Sequence, residues 1–99
     1  MEKSAKQIAE LLRVLACESR LLVLCRLMEQ PMTVSELVKN VPKITQPALS
    51  QHLAVLKAHR ILSSSKSGQK ITYYIIDDRV GELINVLKEY YCDGGEIYE

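Results

Sequence analysis

The chain has 99 residues, of which 47% are hydrophobic and 25% are charged, and its formal net charge is +1. That balance excludes a disordered chain and leaves room for one modest core, so we expect a single domain over residues 1–99. No apolar run approaches the ~20 residues that span a bilayer, and no signal peptide is visible. The sequence therefore predicts a cytoplasmic protein without a membrane partner.

The charges are divided unevenly along the chain. Residues 43–76 carry five basic side chains and no Asp or Glu, whereas residues 77–99 carry two basic and seven acidic side chains. A long segment without carboxylates is a candidate surface for a polyanion such as nucleic acid. The alternative is chance clustering on a solvated face.

Two helices are predicted before Pro31. One stripe of apolar residues recurs at helical spacing and ends at a break at residues 16–18, and a second stripe follows that break. The first stripe consists of Ile8, Leu11, Leu12 and Leu15, and the second of Leu21, Leu24, Cys25 and Met28.

Two further helices are predicted close together. Residues 33–36, Thr-Val-Ser-Glu, have the pattern of a capping box at the start of a short helix that ends near Asn40. Thr45 is the predicted N-cap of a fourth helix, which has Pro47 in its first turn and runs to about Ala58. Two capped helices with so short a connection predict a helix-turn-helix.

The hydrophobic pattern then changes its period. Residues 61–65, which begin with Ile61, and residues 71–76, which are rich in β-branched and aromatic side chains, flank a turn at 66–69. This pattern predicts a two-stranded hairpin with Gly68 near its tip. A last helix is predicted from Asp77, because acidic residues suit a helix N-terminus. Its apolar positions are Val80, Leu83, Ile84, Leu87 and Tyr91. The predicted fold class is mainly α with a β-hairpin wing: four helices, two strands and a fifth helix, as in a winged helix-turn-helix.

The fourth helix is the predicted recognition helix. Gln46, Ser50 and Gln51 lie in its N-terminal half, the end that reaches base edges in a major groove, and their side chains suit base recognition. Three lysines suit the phosphates instead, namely Lys57, Lys66 and Lys70. His52 either packs between helices or joins the DNA contacts. The alternative for the whole set is a merely solvated helix face.

Residues 45–57, TQPALSQHLAVLK, resemble the recognition helix of the ArsR/SmtB family of bacterial repressors, and residues 11–24 resemble that family's first two helices. The resemblance covers nearly the whole chain. It implies a homodimer, paired through the first and last helices, that releases double-stranded operator DNA when an inducer binds. The chain departs from the family pattern at Arg60, where Gly is usual, and at the wing tip, which carries lysines in place of arginine.

The apolar stripes of the first and last helices predict the same pairing. Together they exceed what the core of so small a domain needs, so we expect an isologous two-fold interface between these helices. The expected interface residues are Leu11, Leu12, Leu83, Leu87 and Tyr91.

Two cysteine segments, residues 21–27 and 89–92, resemble the subgroup of this family that includes BigR, SqrR, YgaV and HlyU. The resemblance implies that reactive sulfur species or an oxidant bridge Cys25 and Cys92 and so release the DNA. Cys17, at the start of the second helix, is expected to play no part. The alternatives are a sensor of a thiophilic metal that uses the same cysteines, and a winged-helix regulator with inert cysteines.

No enzyme, cofactor or metal site is predicted. A thiol enzyme needs a Cys-x-x-Cys motif or a nucleophile with a base, and the sequence offers neither. The metal sites usual in the family use a Cys-x-Cys near the second helix or histidines in the last helix, and this chain has neither pattern.

Overall fold

The structure, a computed structural model, describes the backbone of residues 1–93 and 96–97 and the side chains of residues 1–91. Its helices are α1 (Glu2–Leu15), α2 (Glu18–Glu29), α3 (Val34–Asn40), α4 (Gln46–Ala58) and α5 (Asp78–Tyr91). Its strands are β1 (Met32–Thr33), β2 (Leu62–Ser67), β3 (Lys70–Ile75), β4 (Cys92–Asp93) and β5 (Glu96–Ile97). The predicted winged helix-turn-helix is confirmed, with β2 and β3 as the wing. None of the described helices is long and apolar enough to cross a membrane.

Local capping builds the helix-turn-helix. At the start of α3, the backbone N–H of Glu36 donates to the Thr33 hydroxyl at 3.2 Å, and the Thr33 N–H donates to the Glu36 carboxylate at 3.0 Å. This is the predicted capping box. At the start of α4, the backbone N–H of Ala48 donates to the predicted N-cap, the Thr45 hydroxyl, at 3.3 Å. Only residues 41–45 connect the two helices, which holds them in a tight pair.

The wing strands extend further toward the tip than predicted. β2 and β3 pair antiparallel along their whole length, so Gly68 and Gln69 alone form the turn. The prediction of a four-residue turn was wrong because polar strand residues near a hairpin tip have the composition of a loop. Gly68 has a φ of +63°. Glycine at the first position of a two-residue turn is the pattern of a type II′ hairpin, which matches the twist of the strands.

Strand β1 was not predicted. Met32 pairs with Tyr73 and Thr33 with Thr72, so β1 adds a third strand on the side of β3 opposite β2. Two residues are too few to show an alternating pattern, and the capping signal at Thr33 dominates their sequence. Because β1 leads directly into α3, it fixes the start of the helix-turn-helix against the wing.

The core lies where α2 meets its neighbours α3, α4, α5 and β3. On α2 the buried residues are Val23, Leu24 and Leu27, of which the predicted stripe contained only Leu24. Its other members, Leu21, Cys25 and Met28, are half-buried and pack against the core. The reason is that elements pack around most of α2, so this helix buries more than one stripe.

Candidate nucleic-acid interface

The predicted base-reading residues lie on the outer face of α4. Its inner face is anchored by three fully buried leucines, Leu49, Leu53 and Leu56. Gln46, Ser50 and Gln51 are all exposed. The structure therefore leaves these three side chains accessible to a DNA groove.

An open cleft of about 560 Å³ lies between α3, α4 and the wing. It is lined by Thr33, Val34, Ser35, Glu36, Gln46, Gln69, Lys70 and Ile71. Gln46 and Lys70, which were predicted to contact a base and a phosphate, thus line the same cleft. Hydrogen bonds from the backbone and the hydroxyl of Thr33, helped by the charge of Lys70, hold the pKa of Glu36 below its ordinary value. This carboxylate therefore stays ionised beside Lys70.

The wing lysines lie on opposite faces of the hairpin. Lys66 is opposite Ile71 and Lys70 is opposite Ser67, in neighbouring pairs of the same register. Successive pairs of a hairpin point to alternate faces, and both lysines are exposed. With one lysine on each face, the wing can contact the phosphate backbones of both DNA strands that border a groove.

Lys57 ties α4 to the wing. Its Nζ donates to the hydroxyl of Ser64 in β2 at 2.8 Å. An ammonium group has three N–H donors, so this bond leaves donors for a phosphate. The predicted phosphate contact of Lys57 is therefore compatible with the tie to Ser64.

His52 makes a contact between helices. It is half-buried on α4, and its Nδ1 accepts a hydrogen bond of 3.2 Å from Nε of Arg20 on α2. A terminal nitrogen of Arg20 also donates to the Val14 carbonyl oxygen at 3.1 Å. The sequence analysis missed Arg20, because the pair is 32 residues apart and no local pattern marks it.

The cysteines belong to neighbouring parts of the fold. Cys25 is half-buried on α2 and packs against the core. Helix α5 packs on α2 at Gly81, where an added Cβ would lie 3.5 Å from the sulfur of Met28. Cys92 follows α5 directly, and its side chain lies outside the described residues. Cys17 is the N-cap residue of α2 and makes no side-chain capping bond. Over the described side chains, no three His, Cys, Asp or Glu residues cluster as metal ligands would.

Helix α1 buries only its C-terminal end. Val14 and Leu15 are buried, whereas no residue between 2 and 13 is. Large apolar side chains are exposed on α1 and α5, namely Ile8, Leu12, Val86, Leu87, Tyr90 and Tyr91. Among the predicted interface residues, Leu12 is 49% exposed and Leu87 is 39% exposed. Leu11 and Leu83 are half-buried.

The sequence and the fold are similar to those of bacterial regulators. A family model described as bacterial regulatory protein, arsR family, matches residues 17–64. The transcriptional activator HlyU of Vibrio cholerae is 33% identical over 96 residues, which are 97% of this chain and 88% of HlyU. A solved structure of that HlyU has a TM-score of 0.87 at 34% identity and covers 94% of this chain and 100% of its own.

A second relative is named a repressor. The biofilm growth-associated repressor of Xylella fastidiosa is 35% identical over 92 residues, which are 93% of this chain and 80% of that protein. A solved structure of the transcriptional repressor BigR from the same organism has a TM-score of 0.85 at 34% identity and covers 94% of each chain. The regulator YgaV of Escherichia coli is 34% identical over 92 residues, which are 93% of each protein.

Proposed function

This chain belongs to the arsR family of bacterial regulatory proteins and is a transcriptional regulator, and we propose that it is a cytoplasmic repressor that binds double-stranded operator DNA as a homodimer. The observation that carries the proposal is the exposed face of α4, which presents Gln46, Ser50 and Gln51. The first of them, Gln46, lines one cleft with the wing residue Lys70. Polar side chains at the start of a helix suit base edges, and cations at the rim suit phosphates. The segment 43–76 carries no carboxylate. The carboxylate that lines the cleft, Glu36, accepts hydrogen bonds from the backbone and the hydroxyl of Thr33.

Selection from a library of random duplexes tests this function. The wild-type protein should enrich a two-fold symmetric sequence whose half-sites lie about one helical turn, ~34 Å, apart. Binding to that operator should be at least roughly a thousandfold tighter than to random DNA. Failure to enrich any duplex would reject the repressor assignment.

We further propose that Cys25 and Cys92 form the switch that releases the operator. Two features support this: Cys25 is half-buried on α2, and Cys92 directly follows α5, which packs on α2. Helix α2 also packs against α4, so a bridge between the two cysteines would act on the neighbour of the recognition helix. A change in either protomer would then disturb the spacing of the two recognition helices.

A polysulfide can supply the chemistry of the bridge. The thiolate of one cysteine attacks a sulfur atom of the polysulfide, a sulfur–sulfur bond breaks, and the shorter polysulfide anion leaves with the electron pair. The second thiolate attacks Sγ of the resulting persulfide, and hydrosulfide leaves as the disulfide closes. The two thiols are oxidised and the polysulfide is reduced by the same two electrons. A disulfide needs Cα atoms within ~7 Å, so closing the bridge constrains α2 against the end of α5.

Serine variants test the cysteine switch. Cys25→Ser and Cys92→Ser should bind the operator normally and stay bound in polysulfide, whereas Cys17→Ser should still release it. Release corresponds to a coupling of ~1–3 kcal/mol, or a loss of affinity of ~5- to ~150-fold. The measurement is operator titration before and after polysulfide, with the protein mass recorded in parallel. A Cys92→Ser protein that still releases the operator would exclude the two-cysteine mechanism.

The same titration with salts of a thiophilic metal addresses the metal-sensor alternative. The cysteine switch predicts that the metal leaves the operator affinity unchanged. Polysulfide should lower the operator affinity, and the mass of the protein should fall by that of two hydrogen atoms. Release by the metal alone, without that mass change, would assign the cysteines to a metal instead.

A further inference from the structure

Arg20 bridges three helices. It is half-buried on α2, donates through Nε to Nδ1 of His52 on α4 at 3.2 Å, and donates to the Val14 carbonyl oxygen of α1 at 3.1 Å. A guanidinium holds its N–H donors in a rigid planar fork, so two partners fix its direction. Arginine can only donate, so Nδ1 of His52 is the acceptor in this bond.

The Arg20–His52 bond lies on one side of the buried leucine stripe of α4, and the Lys57–Ser64 bond lies on the other side. Residues of an α-helix advance by about 100° each, so His52 and Lys57 are separated by about 140° around the axis of α4. The buried leucines Leu49, Leu53 and Leu56 lie between them. Leucines packed in a stripe resist separation of the helices, but they resist rolling of α4 about its own axis less strongly. Two polar ties on opposite flanks oppose that roll in both directions.

A small roll matters for base recognition. Side chains reach about 5–6 Å from the helix axis, so a roll of about 10° displaces their tips by about 1 Å. Hydrogen bonds tolerate only a few tenths of an ångström beyond their usual 2.7–3.2 Å range. Gln51, the residue next to His52, is exposed on the outer face of α4 and would move with the helix.

We propose that Arg20 is a positioning residue for operator recognition: through His52, it holds α4 at the rotation that aligns Gln46, Ser50 and Gln51 with base edges. The inference rests on the proposed function, since it assigns the orientation of the same recognition helix. Arg20 acts on DNA only through the protein and contributes no phosphate contact. Because Arg20 also binds the last turn of α1, it joins the recognition helix to the corner between α1 and α2.

Binding of the selected operator and of random DNA by five variants tests this assignment. Arg20→Met and His52→Leu keep a similar side-chain volume and introduce good helix formers, but remove the bond between α2 and α4. Each should weaken operator binding about tenfold, as expected for loss of a hydrogen bond to a charged group. Binding to random DNA and the salt dependence of operator binding should not change. His52→Asn, whose side-chain oxygen stands near the position of Nδ1, should restore most of the operator affinity.

Arg79→Met is the matched control. It removes the same charge from an exposed arginine on α5 whose guanidinium is bonded to Asp77 rather than to α4. This control should retain the operator affinity of the wild type. If Arg20→Met lowers the salt slope and weakens binding to random DNA equally, Arg20 is a phosphate contact and the proposal is overturned.

The double variant shows whether His52 only connects Arg20 to α4 or contacts the DNA itself. If His52 acts through Arg20, then Arg20→Met with His52→Leu should bind the operator no more weakly than either single variant. Additive losses, about a hundredfold together, would show that His52 touches DNA itself and would overturn the assignment. Wild-type affinity in both single variants would also overturn it. A wild-type protein that selects no operator would instead reject the proposed function.

Discussion

Arg60 adopts a left-handed backbone conformation immediately after α4, with a φ of +58°. Its N–H donates to the Lys57 carbonyl oxygen at 3.0 Å, and the N–H of Ile61 donates to the Leu56 carbonyl oxygen at 3.0 Å. These are the two hydrogen bonds of a Schellman motif, whose left-handed residue is usually glycine. A residue with a Cβ costs ~1–2 kcal/mol in this conformation. The arginine is therefore strained at the end of the recognition helix.

Replacing that arginine by glycine should stabilise the protein. Arg60→Gly relieves ~1–2 kcal/mol of strain, and the greater freedom of glycine in the unfolded chain offsets ~0.4–1 kcal/mol of this gain. We expect the free energy of unfolding to rise by about 0.5–1 kcal/mol, as measured by urea denaturation. Arg60→Ala is the control, because it removes the same charge but keeps the Cβ. Equal stabilisation by alanine and glycine would assign the effect to charge instead of backbone strain.

Single residues were predictable from the sequence where their partners are local. The caps at Thr33 and Thr45 bond to backbone groups three residues away, so the pattern alone identified them. The bond between Arg20 and His52 spans 32 residues and depends on how α2 crosses α4. The left-handed conformation at Arg60 could be expected only because the family usually has glycine at this position. Arginine itself gives no sign of such a conformation.

At the scale of elements, α4 and the wing divide recognition between them. The N-terminal half of α4 presents the polar, uncharged side chains of Gln46, Ser50 and Gln51, and the wing presents one lysine on each face. Affinity for phosphates depends on salt through counterion release, whereas contacts to base edges depend on sequence. The two elements should therefore respond differently to substitution.

Paired substitutions in the wing and in the helix test this division. Lys66→Ala with Lys70→Ala should weaken binding to every duplex and reduce the slope of log K against log salt by about 3.6, since each phosphate contact contributes ~0.9 and the dimer loses four of them. Gln51→Ala should leave that slope unchanged and relax selectivity at one base position by ~1–3 kcal/mol. Both are measured by titration of operator and random duplexes across a salt series.

The control removes two lysines outside this surface. Lys3 and Lys6 are exposed on the first turns of α1, and their replacement by alanine should leave the salt slope nearly unchanged. A uniform loss of affinity in Gln51→Ala, together with an unchanged slope in the wing variant, would contradict the division of roles.

Whole elements were predictable where their pattern is long. The helices each show apolar periodicity or capping over a full turn or more, and the hairpin has a β-branched and aromatic run at 71–76 that follows a turn at Gly68. β1 has only two residues and owes its existence to pairing with β3, a contact distant in sequence. The buried residues of α2 were misplaced for the same reason, because only tertiary packing shows that several elements surround this helix.

At the scale of the molecule, α1 and α5 present apolar surface that the described side chains of residues 1–91 do not cover. Residues 2–13 of α1 contribute no buried side chain, although an isolated helix of ~12–15 residues is marginal in water. A second copy that covers this helix would account for its stability. Pairing through α1 and α5 would also supply two recognition helices, as a two-fold operator requires.

A charge placed on this surface should separate the dimer without unfolding the protomer. Leu87 is 39% exposed on α5, so Leu87→Glu leaves the core intact but buries a carboxylate whenever two copies pair. We expect the dimer dissociation constant to rise at least roughly a hundredfold, because an uncompensated buried charge costs several kcal/mol. Sedimentation gives the assembly state, and far-ultraviolet circular dichroism should show that the core helices persist, with a loss of helix no larger than α1 accounts for. Ile76→Glu is the matched control: this side chain is 47% exposed but follows the wing, so its variant should remain a dimer. A folded Leu87→Glu protein that sediments as a dimer would place the interface elsewhere, and dissociation of both variants would show a general effect of charge.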